Sequence, residues 1–306
     1  MVRTFDSVII GSGQAGPFLA ARLAAAGQTV ALVERKFLGG TCVNTGCTPT
    51  KTLVASAKVA HMTRDAARFG VHFQGEVKVS LADVKSRADT ILLKSRESVR
   101  KMLAKTGCTV VHGHARFASA HEILVGDEIL HGEQIFIDVG GRTAIPKLPG
   151  VENVRYLTNS SLLELTELPK HLVVVGGGAV GVEFAQVFRR FGSEVTLVEM
   201  KPYLMHHEDA AASALVAELL QQEGVRLRLD AECLSFSPDP GGVFVHVDCK
   251  DGDTDVHGSH VLLAMGRVAI SRSLPVARAS SSVNPTCASG GSVYVARAGM
   301  RSETRR

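Results

Sequence analysis

At 306 residues the chain is long enough for about two domains with separate cores. Its composition, 45% apolar and 21% charged with 30 glycines, is that of a globular α/β protein and excludes a disordered or fibrous chain. The formal charge of +4 is local: residues 269–306 carry arginines at 272, 278, 297, 301, 305 and 306 against one acid, Glu303, so the preceding body is close to neutral and offers no footprint for nucleic acid.

No secretory signal is expected, because Asp6 interrupts the start and the apolar run after it dissolves into glycines. No apolar stretch approaches the ~20 residues of a membrane span. A soluble, cytoplasmic protein is expected. The first element, DSVIIGSGQAGPFLAARLAAAGQTVALVER from Asp6, reads as a strand, a glycine turn, an alanine-rich helix and a second strand ending in an acid. It returns from His171 as HLVVVGGGAVGVEFAQVFRRFGSEVTLVEM. One constant offset maps Gly11 to Gly176, Gly13 to Gly178, Gly16 to Gly181, Gly27 to Gly192 and Glu34 to Glu199. Strand, GxGxxG, helix and distal acid together form the dinucleotide fingerprint. The first glycine makes the bend, the second admits a diphosphate and the third packs helix on strand. The helix N-terminus then faces the phosphates, and Glu34 and Glu199 are placed to accept ribose hydroxyls. A turn without a ligand is the alternative; two full copies favour two dinucleotides.

Between the copies, Gly39 to Lys51 reads GGTCVNTGCTPTK. Cys42 and Cys47 are too far apart on a regular helix, roughly 8.5 Å between Cα atoms, for a disulfide that needs about 4.4–6.8 Å. If they bond, the backbone between them is distorted, and Gly46 with Pro49 supplies the means. A helix N-terminus just beyond and the ammonium of Lys51 are expected to lower the thiolate pKa. A chance pair of core cysteines is the competing reading of the bare spacing.

The whole stretch resembles the redox-disulfide segment of the flavin-dependent pyridine nucleotide-disulfide oxidoreductases, which include dihydrolipoamide dehydrogenase, glutathione reductase and mercuric reductase. The resemblance implies that Cys42 is the interchange thiol that attacks substrate and Cys47 the flavin-facing thiolate. It places Lys51 near the flavin ring and Gly40 and Thr41 among the cofactor-binding residues.

Farther on, residues 52–69 and 81–106 carry helical periodicity and predict two long antiparallel helices covering a sheet, with a coiled-coil surface as the alternative. Residues 108–138 read as short strands in a small antiparallel layer. The family resemblance brings His114 and Ala115 to the adenine end of FAD. His112, His114 and His121 read as surface histidines, and no metal site is expected. Asp138-Val139-Gly140-Gly141 resembles the family's exit from the flavin domain, with Gly140 toward cofactor, although Asp138-Val139 replaces the usual Ala-Thr. Pro146 and Pro149-Gly150 mark a boundary. The expected domains are 1–148 (FAD, with the redox disulfide), 149–268 (NAD(P)) and 269–306, a disordered aberrant tail.

In the second domain a helix is expected near 209–223, capped through Glu208 or Asp209, with strands near 225–229, 231–236, 243–249 and 260–264. The run Met205-His206-His207-Glu208-Asp209 reads as a solvated loop. By resemblance, Glu183 pairs with Lys51 across the two domains, and Ala264-Met265-Gly266-Arg267 returns the chain to the flavin domain with Gly266 toward cofactor. Beyond about residue 268 the resemblance stops. The second half of the flavin domain and the C-terminal dimerisation domain, with its His-Glu pair, are expected to be absent, leaving an open sheet edge. A shifted reading frame or truncated gene product is the reading of 269–306; a basic binding arm is its rival.

The fold class expected is α/β, with two Rossmann-like dinucleotide-binding domains, the FAD domain incomplete. The function implied is an FAD- and NAD(P)H-dependent oxidoreductase with a redox-active disulfide, mercuric reductase-like, passing electrons through FAD to Cys42–Cys47. The acceptor is then a small-molecule disulfide or mercuric ion. Glu199 argues for NADH over NADPH, since a carboxylate repels a 2′-phosphate. Alternatives are a dihydrolipoamide dehydrogenase-like enzyme and a non-catalytic remnant that only binds nucleotide. The resembled family is homodimeric; no nucleic-acid or membrane partner is expected.

Overall fold

A computed structural model describes residues 1–231, 234–248, 255–270 and 294–296. They form two compact units: Met1–Thr48 with Ile91–Arg142 and the described residues from Val268 on, and Pro49–Thr90 with Thr143–Arg267. The second unit thus begins at Thr143, ahead of the expected boundary, and takes in residues 49–90 as well.

The first unit opens with β1 (Val2–Ile10), α1 (Gly16–Ala25) and β2 (Val30–Glu34), followed by α2 (Gly40–Thr45). In chain order α3 (Cys47–Arg64), which from Pro49 on belongs to the second unit, and α4 (Leu81–Lys105), whose part from Ile91 on belongs to the first, come next, then β3 (Thr109–His112), β4 (Ala115–Phe117), β5 (Glu122–Val125), β6 (Glu128–Ile137) and β7 (Gly141–Thr143). Its sheet runs β3-β2-β1-β6-β5-β4. The first three pairings along it are parallel, with Ile10 opposite both Val33 and Ile137. β5 adds to β6, and β4 to β5, antiparallel. VALVE of β2 is buried throughout, as a central parallel strand covered on both faces must be. Alternate residues go to two cores: Val8, Ile10, Val33, Ile135 and Ile137 pack with the antiparallel layer, while Ile9, Leu32 and Phe136 pack with Ala20 and Leu103 of the helices.

In the second unit, β8 (Tyr156–Leu157), α5 (Asn159–Leu162), β9 (His171–Val175), α6 (Ala179–Phe191), β10 (Glu194–Val198), α7 (Ala210–Gln222) and β11 (Arg226–Arg228) lead to three strands, β12 (Leu234–Asp239), β13 (Gly242–Val247) and β14 (Asp255–Gly258), and then β15 (His260–Leu263). The sheet β11-β10-β9-β15-β8 is parallel throughout. One face packs on Phe184, Phe188 and Phe191 of α6 with Leu53, Ala57, Leu81 and Ala88. The other packs on the antiparallel β12-β13-β14 layer through Val243, Val245 and Val247. Asp209 caps α7, its carboxylate accepting the Ala211 and Ala212 amides. Among the described residues no group of three His, Cys, Asp or Glu is placed to hold a metal ion.

After β16 (Arg267–Ala269), the described part of the tail is β17 (Tyr294–Ala296). It pairs antiparallel with the end of β6, Tyr294 opposite Ile137 and Ala296 opposite Ile135. β17 thus covers the end of β6 that β5 leaves unpaired, by backbone hydrogen bonds that three extended residues suffice to make. Of the rest of the expected disordered segment, Ala269 ends β16 and Ile270 N–H donates to the Gly140 carbonyl, while residues 271–293 and 297–306 lie outside the described residues. No described helix is long and apolar enough to cross a membrane.

Candidate dinucleotide and dithiol site

The two glycine turns are built alike, bond for bond. Gly11 N–H donates to the Val33 carbonyl and Gly176 N–H to that of Val198, each at 2.8 Å. Glu34 accepts the Ser12 amide at 3.1 Å and the Lys36 amide at 2.8 Å; Glu199 accepts those of Gly177 at 2.6 Å and Lys201 at 2.9 Å. Each acid thus sits at the end of the second strand, held by its own turn. The strand that follows closes the turn from the far side: Asp138 N–H donates to Ile10 O at 2.7 Å and Ala264 N–H to Val175 O at 2.8 Å.

The turns demand glycine for a local reason. Gly11 has φ +103°, and a Cβ there would lie 2.2 Å from the Asp138 carbonyl oxygen. Gly176 has φ +111° and the same conflict with the Ala264 oxygen, at 2.6 Å. Gly16 and Gly181 pack against the carbonyls of Gly11 and Gly176, while the space over Gly178 is open, as a turn that receives a diphosphate requires. The bends and close approaches fit a dinucleotide at both turns, with the place that is open at Gly178 taken at Gly13 by the Asp138 carboxylate.

The turns differ in two side chains: Ser12, whose Oγ donates to Glu34 at 2.6 Å, has Gly177 as its counterpart, and Asp138 has Ala264. Asp138 sends its carboxylate back into the first turn, where Oδ2 accepts the Gly16 N–H at 2.7 Å. Ala264 stands at that place in the second. Asp138 is buried, and burial pushes its pKa up to about 6; the amides of Gly16 and Gly13 pull it down and the charge of Glu34 adds to the rise.

The cysteine segment docks on the first turn. Gly39 N–H donates to Ser12 O and Oγ, and Gly40, at φ +57°, lies so close to Gly13 that a Cβ would come 2.6 Å from its Cα. The helical path breaks at Gly46, between α2 and α3, so that Cys42 lies within one segment and Cys47 opens the next. A disulfide at this spacing would need such a break. Both thiols are unbridged. The Cys42 thiol is half-buried, and burial followed by its hydrogen bond to Cys47 pushes its pKa up to about 11. At Cys42, desolvation penalises the anion more than nearby dipoles favour it. Thr41 is exposed just before the pair.

Asn44, between the cysteines, is a positioning residue that sequence reasoning left without a role. Its amide donates to the carbonyls of Leu38 at 3.1 Å and Gly40 at 2.8 Å, and its oxygen accepts from Arg96. Arg96 in turn lies 3.9 Å over the Phe37 ring. The signal available in the chain is a polar amide inside a helix that is too short to be set by propensity.

Lys51, in the second turn of α3, donates to Glu183 of α6. Both belong to the second unit, so this ion pair does not join the two units as expected. Ala115 is buried at the start of β4, His114 beside it is exposed, and the preceding Gly113 N–H donates to the Glu34 carbonyl. Gly140 and Gly266 occupy matching bends after Asp138-Val139 and Ala264-Met265, at φ +67° and +102°.

Residues 5–299 match the family of pyridine nucleotide-disulphide oxidoreductases. The chain belongs to this family. Its curated relatives include a dihydrolipoyl dehydrogenase of Acholeplasma laidlawii, 34% identical over 90% of this chain and 82% of that one. A mercuric reductase of Streptomyces lividans is 35% identical over 90% of this chain and 59% of its own length. Among solved structures, the Cu(II) complex of the HOCl-induced flavoprotein disulfide reductase RclA of Escherichia coli superposes with a TM-score of 0.80 at 33% identity, covering 92% of this chain and 61% of that one. The chain thus spans about three fifths of the latter two relatives. Members of the family are FAD-dependent enzymes that use NAD(P)H.

Proposed function

We propose that the chain is the nucleotide-binding and dithiol part of a mercuric reductase-like flavoprotein, moving an electron pair from a nicotinamide nucleotide to a small-molecule disulfide or mercuric ion. The observation that supports this reading is the cysteine segment itself: Gly39 and Gly40 hold it on the first glycine turn, and Cys42 hydrogen-bonds to Cys47 across the Gly46 break.

In this reading Gly11, Gly13, Gly16 and Glu34 hold FAD, with Gly40, Thr41, Ala115 and Gly140 beside it. Gly176, Gly178, Gly181 and Glu199 hold the nicotinamide nucleotide, with Gly266. FAD, when bound, supplies the relay that accepts a hydride from the nicotinamide and delivers two electrons to a disulfide. The reduced Cys42–Cys47 pair is the outlet. Cys42 sulfur attacks a substrate disulfide and expels one substrate thiol; Cys47 then attacks Cys42, closes the Cys42–Cys47 disulfide and releases the second thiol. For mercuric ion the same two sulfurs are soft ligands. Because Cys42 is held up at about 11, a base must take its proton before attack. Lys51 and Glu183 hold each other in a defined position on α3 and α6, and their proposed role is at the nicotinamide end of the flavin. Glu199, fixed by two amides, favours NADH.

Anaerobic mixing of the FAD-loaded chain with NADH tests the reading. A long-wavelength thiolate–flavin band that Cys47→Ser abolishes is the expected result. A chain that takes up no flavin supports a nucleotide-binding remnant instead. Consumption of dihydrolipoamide-type dithiols in preference to mercuric ion would move the substrate to the dihydrolipoyl dehydrogenase side.

A further inference from the structure

The two turns are duplicates in every backbone bond named above, yet one of them already holds an anion of its own. Asp138 Oδ2 lies 2.7 Å from the Gly16 amide, and a Cβ on Gly13 would meet that oxygen at 2.9 Å. The carboxylate therefore fills the hollow under the first turn and engages the first helical amide of α1. At the second turn Ala264 has nothing to place there, and the space above Gly178 is free.

We propose that Asp138 is a positioning residue that tunes the first turn's affinity for its dinucleotide: ionised, it opposes the incoming diphosphate, and protonated, it supports the turn without opposing it. This rests on the reading of the first turn as the FAD site. The physics is that of two anions sharing one set of amide dipoles. The helix end can favour a diphosphate, but its field is already partly satisfied by the buried carboxylate, and like charges in a poorly hydrated place raise each other's proton affinity. Binding of a diphosphate then draws a proton onto Asp138, and affinity falls as pH rises.

The elements packed around Asp138 leave few other candidates for such a linkage. β1 ends on the Ile10 carbonyl, the turn presents glycine amides, and the cysteine segment brings Gly40 to Gly13. The charged group acting on Asp138 is Glu34 at the end of β2, whose carboxylate is held by Ser12 and the Lys36 amide. The placement of the Asp138 pKa near 6 puts the transition inside an accessible pH range. FAD's own diphosphate stays ionised throughout that range, so it contributes no slope.

The test is titration of the purified chain with FAD, followed by flavin fluorescence from pH 5.5 to 8. Calorimetry at pH 7.5 in buffers of different ionisation enthalpy is run alongside. The wild-type dissociation constant is expected to rise about tenfold over the range, as a shift of roughly one pKa unit on binding implies, with net proton uptake. Asp138→Asn keeps the shape and an acceptor; it is expected to bind about tenfold tighter than wild type at pH 8, with a flat profile and no proton uptake. NADH at the second turn serves as the internal control and is expected to show no such slope. A flat wild-type profile, or an Asp138→Asn chain that binds FAD no tighter at pH 8, overturns the inference while leaving the FAD site standing. Failure of both chains to bind FAD at every pH overturns the FAD reading and this inference with it.

Discussion

Replacing Asp138 with asparagine changes one charge and almost no shape, so its effect on the ligand-free chain isolates what burying that carboxylate costs. Asp138 is 7% exposed, and burial holds its pKa at about 6 against an ordinary value of 3.8. A difference of that size corresponds to about 3 kcal/mol between the ionised and neutral forms. The folded chain binds this proton more tightly than the unfolded chain does. Its stability therefore falls as pH rises from about 3.8 toward 6, and the cost is complete above that. Asparagine removes this term. It keeps an oxygen for Gly16 N–H but turns an NH2 toward the Gly13 amide, losing a hydrogen bond of about 1 kcal/mol. The net expectation is Asp138→Asn more stable than wild type by about 2 kcal/mol at pH 8, with the advantage gone near pH 4.5. The chain has no tryptophan, so urea unfolding is followed by far-UV circular dichroism at the two pH values. A variant less stable than wild type at pH 8, or an offset that does not change with pH, would refute the reasoning.

Three further outcomes are expected. Glu223 accepts two bonds from Arg190 and one from Gln186 in a largely buried pair, so Glu223→Gln should lose about 3 kcal/mol in urea unfolding, and the double change to Arg190→Met with Glu223→Leu should recover most of it. Burial raises the Glu223 carboxyl but Arg190 outweighs it, leaving the pKa below 4.5; the pair's contribution is therefore full at neutral pH and disappears as pH falls through that lowered value. Iodoacetamide should alkylate Cys42 slowly up to pH 9, with a rate that climbs toward the thiol's value of about 11; mass spectrometry of the Cys42 peptide showing a plateau by pH 8 would contradict the burial argument. Gly11→Ala, at φ +103° and with a Cβ 2.2 Å from Asp138 O, should destabilise the chain by about 2 kcal/mol or more and abolish FAD binding, while NADH binding at Gly176 persists.

By itself the sequence determined what depends on local chemistry. The repeat of Gly11-to-Glu34 in Gly176-to-Glu199 specifies both turns, because strand period, positive-φ glycines and a distal acid are written in consecutive residues. The break between Cys42 and Cys47 was legible for the same reason, since a regular helix cannot bring them together. Tertiary structure decided what depends on residues far apart in the chain. It put residues 49–90 with the second unit, so that Lys51 meets Glu183 inside that unit. It raised the Cys42 pKa through burial that no spacing rule registers. It also carried the Asp138 carboxylate, 122 positions away, to the Gly16 amide. Each of these is a balance of desolvation and long-range contact, and that balance exists only once the strands have come together to exclude water.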